Sequence, residues 1–123
     1  MMVGFVNARS EAILPIIIGG QTGGWQSTDA AIDTGFNGFL TLPSEIINNL
    51  KLPWNASDIV TLGDGSETLF DLYAATIIWD GQYREIDVAE SETEPLIGMA
   101  LLYGYKLQIE TIKGGLVRVD VLA

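Results

Sequence analysis

Residues 30–42 read AAIDTGFNGFLTL, an aspartate set between two apolar runs. Ala30, Ala31 and Ile32 lead into Asp33, and Phe36, Phe39, Leu40 and Leu42 follow Thr34 and Gly35. An unpaired carboxylate buried in such surroundings costs several kcal/mol or takes up a proton. An Asp shortly before a Gly also suits a turn after a strand. A solvent-exposed turn, however, has no need of greasy flanks on both sides, so Asp33 calls for a reason of its own.

The rest of the composition narrows the chemistry. The chain has 123 residues, 48% hydrophobic and 18% charged, the profile of one globular domain with a modest core. It contains no Cys and no His. That excludes disulfides, zinc sites built on Cys or His, thiol nucleophiles and every triad with a His base. Sixteen Asp and Glu stand against six Lys and Arg, so carboxylates are the catalytic groups in best supply. The net charge of −10 repels phosphate backbones and anionic lipid alike, so neither nucleic acid nor membrane is expected as a partner. The longest aliphatic run, Ile13 to Ile18, contains Pro15 and is too short to span a bilayer. The first residues, MMVGFVNARSEA, lack the pattern of an export signal, and the expected location is cytoplasmic.

Strands dominate the pattern. Asp64-Gly65, Asp80-Gly81 and Gly114-Gly115 are each flanked by strand-like residues and are each expected to turn a hairpin. Two short helices are expected, at LPSEIINNL (42–50), with Pro43 near its start, and at GMALLYG (98–104). The Gly-rich stretch GGQTGGW (19–25) lacks the Lys-Ser/Thr ending of a phosphate loop. The expected fold is a single, mainly β domain over residues 1–123 with one or two short helices.

Two further stretches stand in a fixed order with Asp33. Gly63-Asp64-Gly65-Ser66 forms the small polar tip of a hairpin within VTLGDGSETL (60–69), and Leu96-Ile97-Gly98 precedes the second helix. Taken alone, the first is an ordinary hairpin and the second is ordinary core packing. Asp64 and Glu67 do not continue into an acidic calcium loop, and no metal site is expected. Together with AAIDTGFNGFLTLP and PLIGMALLYGYKLQIE, these stretches resemble the retropepsin-like aspartic proteases, and in particular their small prokaryotic branch with Asp-Thr-Gly-Phe. The resemblance runs from about Ile13 to Val121.

The resemblance implies a closed, orthogonal β-barrel of the acid-protease kind. It implies Asp33 as the catalytic residue, with Thr34 supporting it by hydrogen bonds at a dimer interface and Gly35 allowing close backbone approach. Leu96, Ile97 and Gly98 would hold the Asp loop. Leu62, Gly63, Asp64, Gly65 and Ser66 would form a flap over the cleft. Phe36 departs from the small residue common at that position, and its ring either narrows a substrate pocket or turns into the core.

A chain with one Asp-Thr-Gly supplies two carboxylates only as a homodimer, with Asp33 beside its own copy on a two-fold axis. In such proteases the two carboxylates lie about 3 Å apart and hold one proton between them. The implied activity is endopeptidase cleavage of a peptide or unfolded protein, without a cofactor. The family's dimers pair their terminal strands, which here means MMVGFV and VRVDVLA, although both equally suit pairing within one chain. An alternative is a non-catalytic dimeric peptide-binding module of the same fold. A carboxylate glycosidase accounts for the missing His and Cys but not for Asp-Thr-Gly.

Overall fold

The computed structural model describes residues 1–123 except Gln21, Gly23 and Leu62. Among the described residues the elements are β1 (Met2–Val6), β2 (Ala12–Gly19), β3 (Trp25–Ile32), β4 (Leu40–Leu42), α1 (Ser44–Asn49), β5 (Trp54–Thr61), β6 (Glu67–Trp79), β7 (Gln82–Glu90), β8 (Leu96–Ile97), α2 (Met99–Leu102), β9 (Tyr105–Ile109) and β10 (Leu116–Val121). The protein is mainly β, with two short helices.

The strands lie in the order β5-β6-β7-β4-β8-β3-β2-β1-β10-β9, and β6 also pairs with β2. That extra pairing closes β2, β3, β8, β4, β7 and β6 into a ring. β2 makes the closure possible because its second edge serves two partners. Ala12 and Ile13 pair with β1, whereas Ile17, Ile18 and Gly19 pair with β6. Pro15 falls between these two stretches, where its missing N–H breaks no ladder bond on that edge.

Inside the ring, Leu14, Ile16 and Ile18 of β2 meet Leu40, Leu42, Ile77, Val88 and Ile97 in one buried cluster. Alternation along β2 sends these residues inward and leaves Pro15 and Ile17 outside. α1 closes one end by burying Ile46 and Ile47.

The three turn signals behave differently. Asp80 (φ 53°) and Gly81 (φ 79°) form a two-residue turn with both φ values positive, and Trp79 pairs with Gln82 across it. The β5–β6 hairpin needs a longer connection, because its last pair is Thr61 with Glu67. The β9–β10 connection is longer than the expected Gly114-Gly115 turn. Ile109 pairs with Val117, and the chain between them bonds back through Ile112 N–H to Glu110 O (2.8 Å) and Gly115 N–H to Ile112 O (2.9 Å).

Within the chain, the terminal strands pair with each other and with their neighbours. β1 and β10 pair with each other from Met2–Val119 to Phe5–Leu116. The other edge of β10 is taken by β9, and β1 meets β2 at Phe5 and Val6. β10 therefore lies inside the sheet, between β1 and β9. Val3, Phe5 and Leu116 are exposed on these strands.

Candidate active site

β3 delivers Asp33. It pairs in parallel with β8, Ala31 beside Leu96 and Ile32 beside Ile97. The ladder extends at both ends, with Ala31 N–H donating to Pro95 O (2.9 Å) and Asp33 N–H donating to Ile97 O (2.9 Å). The strand then turns sharply. Gly35 N–H donates to Asp33 Oδ1 (3.0 Å) and Phe36 N–H to Asp33 O (3.1 Å), an Asx-type turn built on the aspartate itself. Asp33 is half-buried, and Thr34 and Gly35 are exposed.

The loop after Asp33 wraps around residues 96–100. Gly98 N–H donates to Phe39 O (3.0 Å), Met99 N–H to Phe36 O (2.8 Å) and Ala100 N–H to Gly38 O (3.1 Å). Leu96 N–H donates to Thr41 Oγ1 (2.9 Å), which gives the buried Thr41 hydroxyl a partner. Leu96 is half-buried, and Ile97 and Gly98 are buried. A Cβ on Gly98 would lie 2.2 Å from Gly38 O and 2.6 Å from Phe36 Cδ2, so only Gly lets the two segments come this close. Phe36 is 1% exposed. Its ring is packed against Gly38 and Gly98, so of its two possible orientations it takes the inward one.

The β5–β6 connection comes down on this loop. Gly63 stands over the Asp33 carboxylate, since a Cβ on it would lie 3.0 Å from Oδ1 and 3.1 Å from Oδ2. A Cβ on Gly35 would lie 2.6 Å from Gly63 Cα. Beyond Gly63 the chain bonds to itself. Ser66 donates to Asp64 Oδ1 from its N–H (2.9 Å) and from its hydroxyl (2.6 Å), which holds the Asp64 carboxyl below the usual range. Gly65 takes φ 84° in this turn, a conformation that favours glycine. The structure thus brings Asp33, Gly35 and Gly63 into contact and keeps Asp64, Gly65 and Ser66 at the exposed tip. Leu62 lies outside the described residues.

Asp33 also faces a cavity of about 430 Å³, whose lining includes Ala31, Ile32, Leu96 and Ile109, with Glu11 and Glu94 among its polar groups. A hydrogen bond between Glu11 and Glu94 raises the Glu94 carboxyl and lowers that of Glu11. The Arg9 guanidinium lies 3.2 Å from Glu11 Oε1 and 3.6 Å from Glu94 Oε2. A second cavity, about 370 Å³, lies around Gly20, Asn55 and β6–β7 and does not include Asp33.

The motifs do not announce Glu11, Glu94 or Thr41, nor Asn37, whose Oδ1 accepts the Thr61 N–H (3.0 Å) and whose N–H donates to Thr61 O (3.3 Å). Asn37 and Gly38 look like turn residues in sequence, and Thr41 looks like the polar member of an alternating strand. The Glu pair is separated by most of the chain and meets only because β8 lies beside β3 and β3 beside β2. No family model matches the chain, and no curated protein matches it in sequence.

Proposed function

We propose that the protein is an aspartic endopeptidase of retropepsin-like fold that acts as a symmetric homodimer. The observation that carries this reading is the Asp33 turn strapped to Ile97 and Gly98 and covered by the β5–β6 hairpin. A half-buried carboxylate is held there by backbone groups at the end of a core strand, beside a cavity lined by both apolar and polar residues. In a chain without Cys or His, this is the best-organised catalytic candidate.

One chain supplies one Asp33, so the active unit is a dimer with two copies of Asp33 on the two-fold axis. The pair holds one proton and a water between its members. The ionised member takes a proton from the water as it attacks the peptide carbonyl, and the protonated member donates to the carbonyl oxygen. As the C–N bond of the tetrahedral intermediate breaks, the first carboxyl gives the proton it took from water to the amine nitrogen, the second takes back a proton from a hydroxyl of the intermediate, and no acyl-enzyme forms. An extended peptide lies across the site with a side chain in the cavity beside Ile32 and Leu96, and the hairpin adds backbone hydrogen bonds above it. Substrates are peptides or unfolded chains.

Asp33→Asn is expected to lower cleavage of an unfolded protein at mildly acid pH by about a thousandfold or more, because it removes the shared acid–base pair. The wild-type protein is expected to sediment as a dimer under the same conditions. Full activity in a strictly monomeric protein defeats the symmetric mechanism. A dimer that binds peptide and never cleaves it over a broad pH range points to the non-catalytic binding module.

A further inference from the structure

The chain carries an aromatic face that the chemistry at Asp33 does not use. It lies on the outer side of β3, β2, β6 and β7, which neighbour one another in that order. Residues paired directly across a ladder share a face. Ile17 pairs with Ser27 on one side and Ile78 on the other, and Ile78 pairs with Tyr83. In the next row, Gly19 pairs with Trp25 and Thr76, and Thr76 with Glu85. Ile16, Ile18 and Ile77 alternate with these residues and point into the core.

Gly19 lets the Trp25 ring lie across β2, since a Cβ there would come 2.7 Å from Trp25 Cε3. The ring meets that of Tyr83, with centroids 5.8 Å apart and planes inclined by 30°. Mutual packing does not bury the pair: Trp25 is 50% exposed and Tyr83 76%, with Ile17 beside them at 40%. Single exposed apolar residues are ordinary on a protein surface, whereas a contiguous aromatic group marks an interaction site.

The charge around this face has one sign. Glu85 ends the second row, and Asp29, paired with Pro15, lies two residues beyond Ser27; both are exposed. Neither has an ion-pair partner among the described residues. Arg84, the one basic residue on these four strands, pairs with the buried Ile77 and turns inward, donating to Leu101 O (3.4 Å) and standing over the Phe39 ring. The amino-terminal amine is engaged by Asp80 (3.0 Å). The cavity of about 370 Å³ adjoins the second row, because Thr76 and Glu85 line it together with Asn55 and Asp87.

These features select the occupant. A second copy of the chain carries the same charge of −10 and is repelled, as is an anionic lipid surface. A face four strands wide suits a polypeptide better than a small molecule, which binds in a concave pocket. Aromatic π faces attract a cation, and an unpaired carboxylate beside them completes its coordination. We propose that this face docks a basic segment of another protein, with a Lys or Arg stem laid over Trp25 and Tyr83 and its cation at Glu85. β3 runs from Trp25 to Ile32, so the rings lie about 25 Å along the strand from Asp33. The docking site is therefore separate from the aspartate and does not depend on the activity proposed for it.

The probe is a short fluorescein-labelled peptide in which Lys alternates with Phe, with a counterpart carrying Glu in place of Lys. Binding to the full chain is followed by fluorescence anisotropy at physiological ionic strength, which screens the long-range pull of the acidic chain. Asp33→Asn is present in every protein, so the probe is not cut. The Lys peptide is expected to bind and the Glu peptide is not. Trp25→Ala and Tyr83→Ala are each expected to weaken the Lys peptide about tenfold. Glu85→Gln is expected to weaken it about fivefold. Glu45→Gln, which removes the same charge from the exposed side of α1, is expected to leave the affinity unchanged.

Unchanged affinity in Trp25→Ala and Tyr83→Ala overturns the docking face. So does equal binding of the two peptides, or an equal loss in Glu85→Gln and Glu45→Gln, which assigns the attraction to net charge alone. Where Trp25→Ala fails to fold because Gly19 loses its cover, Tyr83→Ala decides. A wild-type protein that cleaves nothing defeats the protease reading and leaves a docking face that behaves as expected standing.

Discussion

Phe36 shows at the scale of one residue how the site is held. Its ring fills the space left by the absent side chains of Gly38 and Gly98, while its carbonyl receives the Met99 N–H. A bulky residue after Asp-Thr-Gly is thus part of the scaffold beneath the aspartate. Phe36→Ala is expected to destabilise the fold by about 3–5 kcal/mol, because it removes a fully buried ring and leaves a cavity between two segments that cannot easily collapse. Urea unfolding followed by tryptophan fluorescence measures it, and a loss below about 1 kcal/mol contradicts the packing role. Asp33 stood out in the sequence because a carboxylate amid apolar residues conflicts with its surroundings. Asn37 did not, because an Asn before a Gly satisfies local turn chemistry whether or not its side chain reaches a distant strand.

At the scale of elements, α1 is tied to a loop far along the chain. The Glu92 carboxylate accepts the Ser44 N–H at 3.1 Å, at a helix start that Pro43 leaves without a side-chain cap. Hydrogen bonding to Ser44 lowers the Glu92 carboxyl from its ordinary 4.5. A lowered carboxyl stabilises the fold above its unfolded value, and this contribution disappears as pH falls through the folded value. Glu92→Gln is therefore expected to lower Tm at pH 7 and to have progressively less effect as the pH drops below 4.5. Melting curves at pH 7 and pH 3 check the sign, and an equal loss at both assigns the effect to something other than the charge. Asp80-Gly81 was legible as a two-residue turn because both positions need positive φ. Gly114-Gly115 was not legible as a longer connection. The same dipeptide suits either, and the register of β9 against β10 sets the length.

At the scale of the whole molecule, each copy brings a charge of −10 to the proposed dimer. Like charge opposes association and is screened by salt. The dimer is expected to tighten as salt rises from low to about physiological ionic strength, where the screening length is about 8 Å. Sedimentation at the two salt concentrations measures this, and dissociation on adding salt argues instead for an interface held by ion pairs. The sequence by itself determined the mainly β character, the two short helices, the conspicuous position of Asp33 and the exclusion of His- and Cys-based chemistry. These follow from composition and from patterns that span a few residues. The tertiary structure decided which strands share edges, that β2 leaves β1 for β6 around Pro15, and that Phe36 turns inward. It also decided that Asn37 bonds to Thr61 and that Gly63 lies near Asp33. Each of these depends on groups distant in the chain competing for one edge or one volume, and neither edges nor volumes exist until the chain has folded.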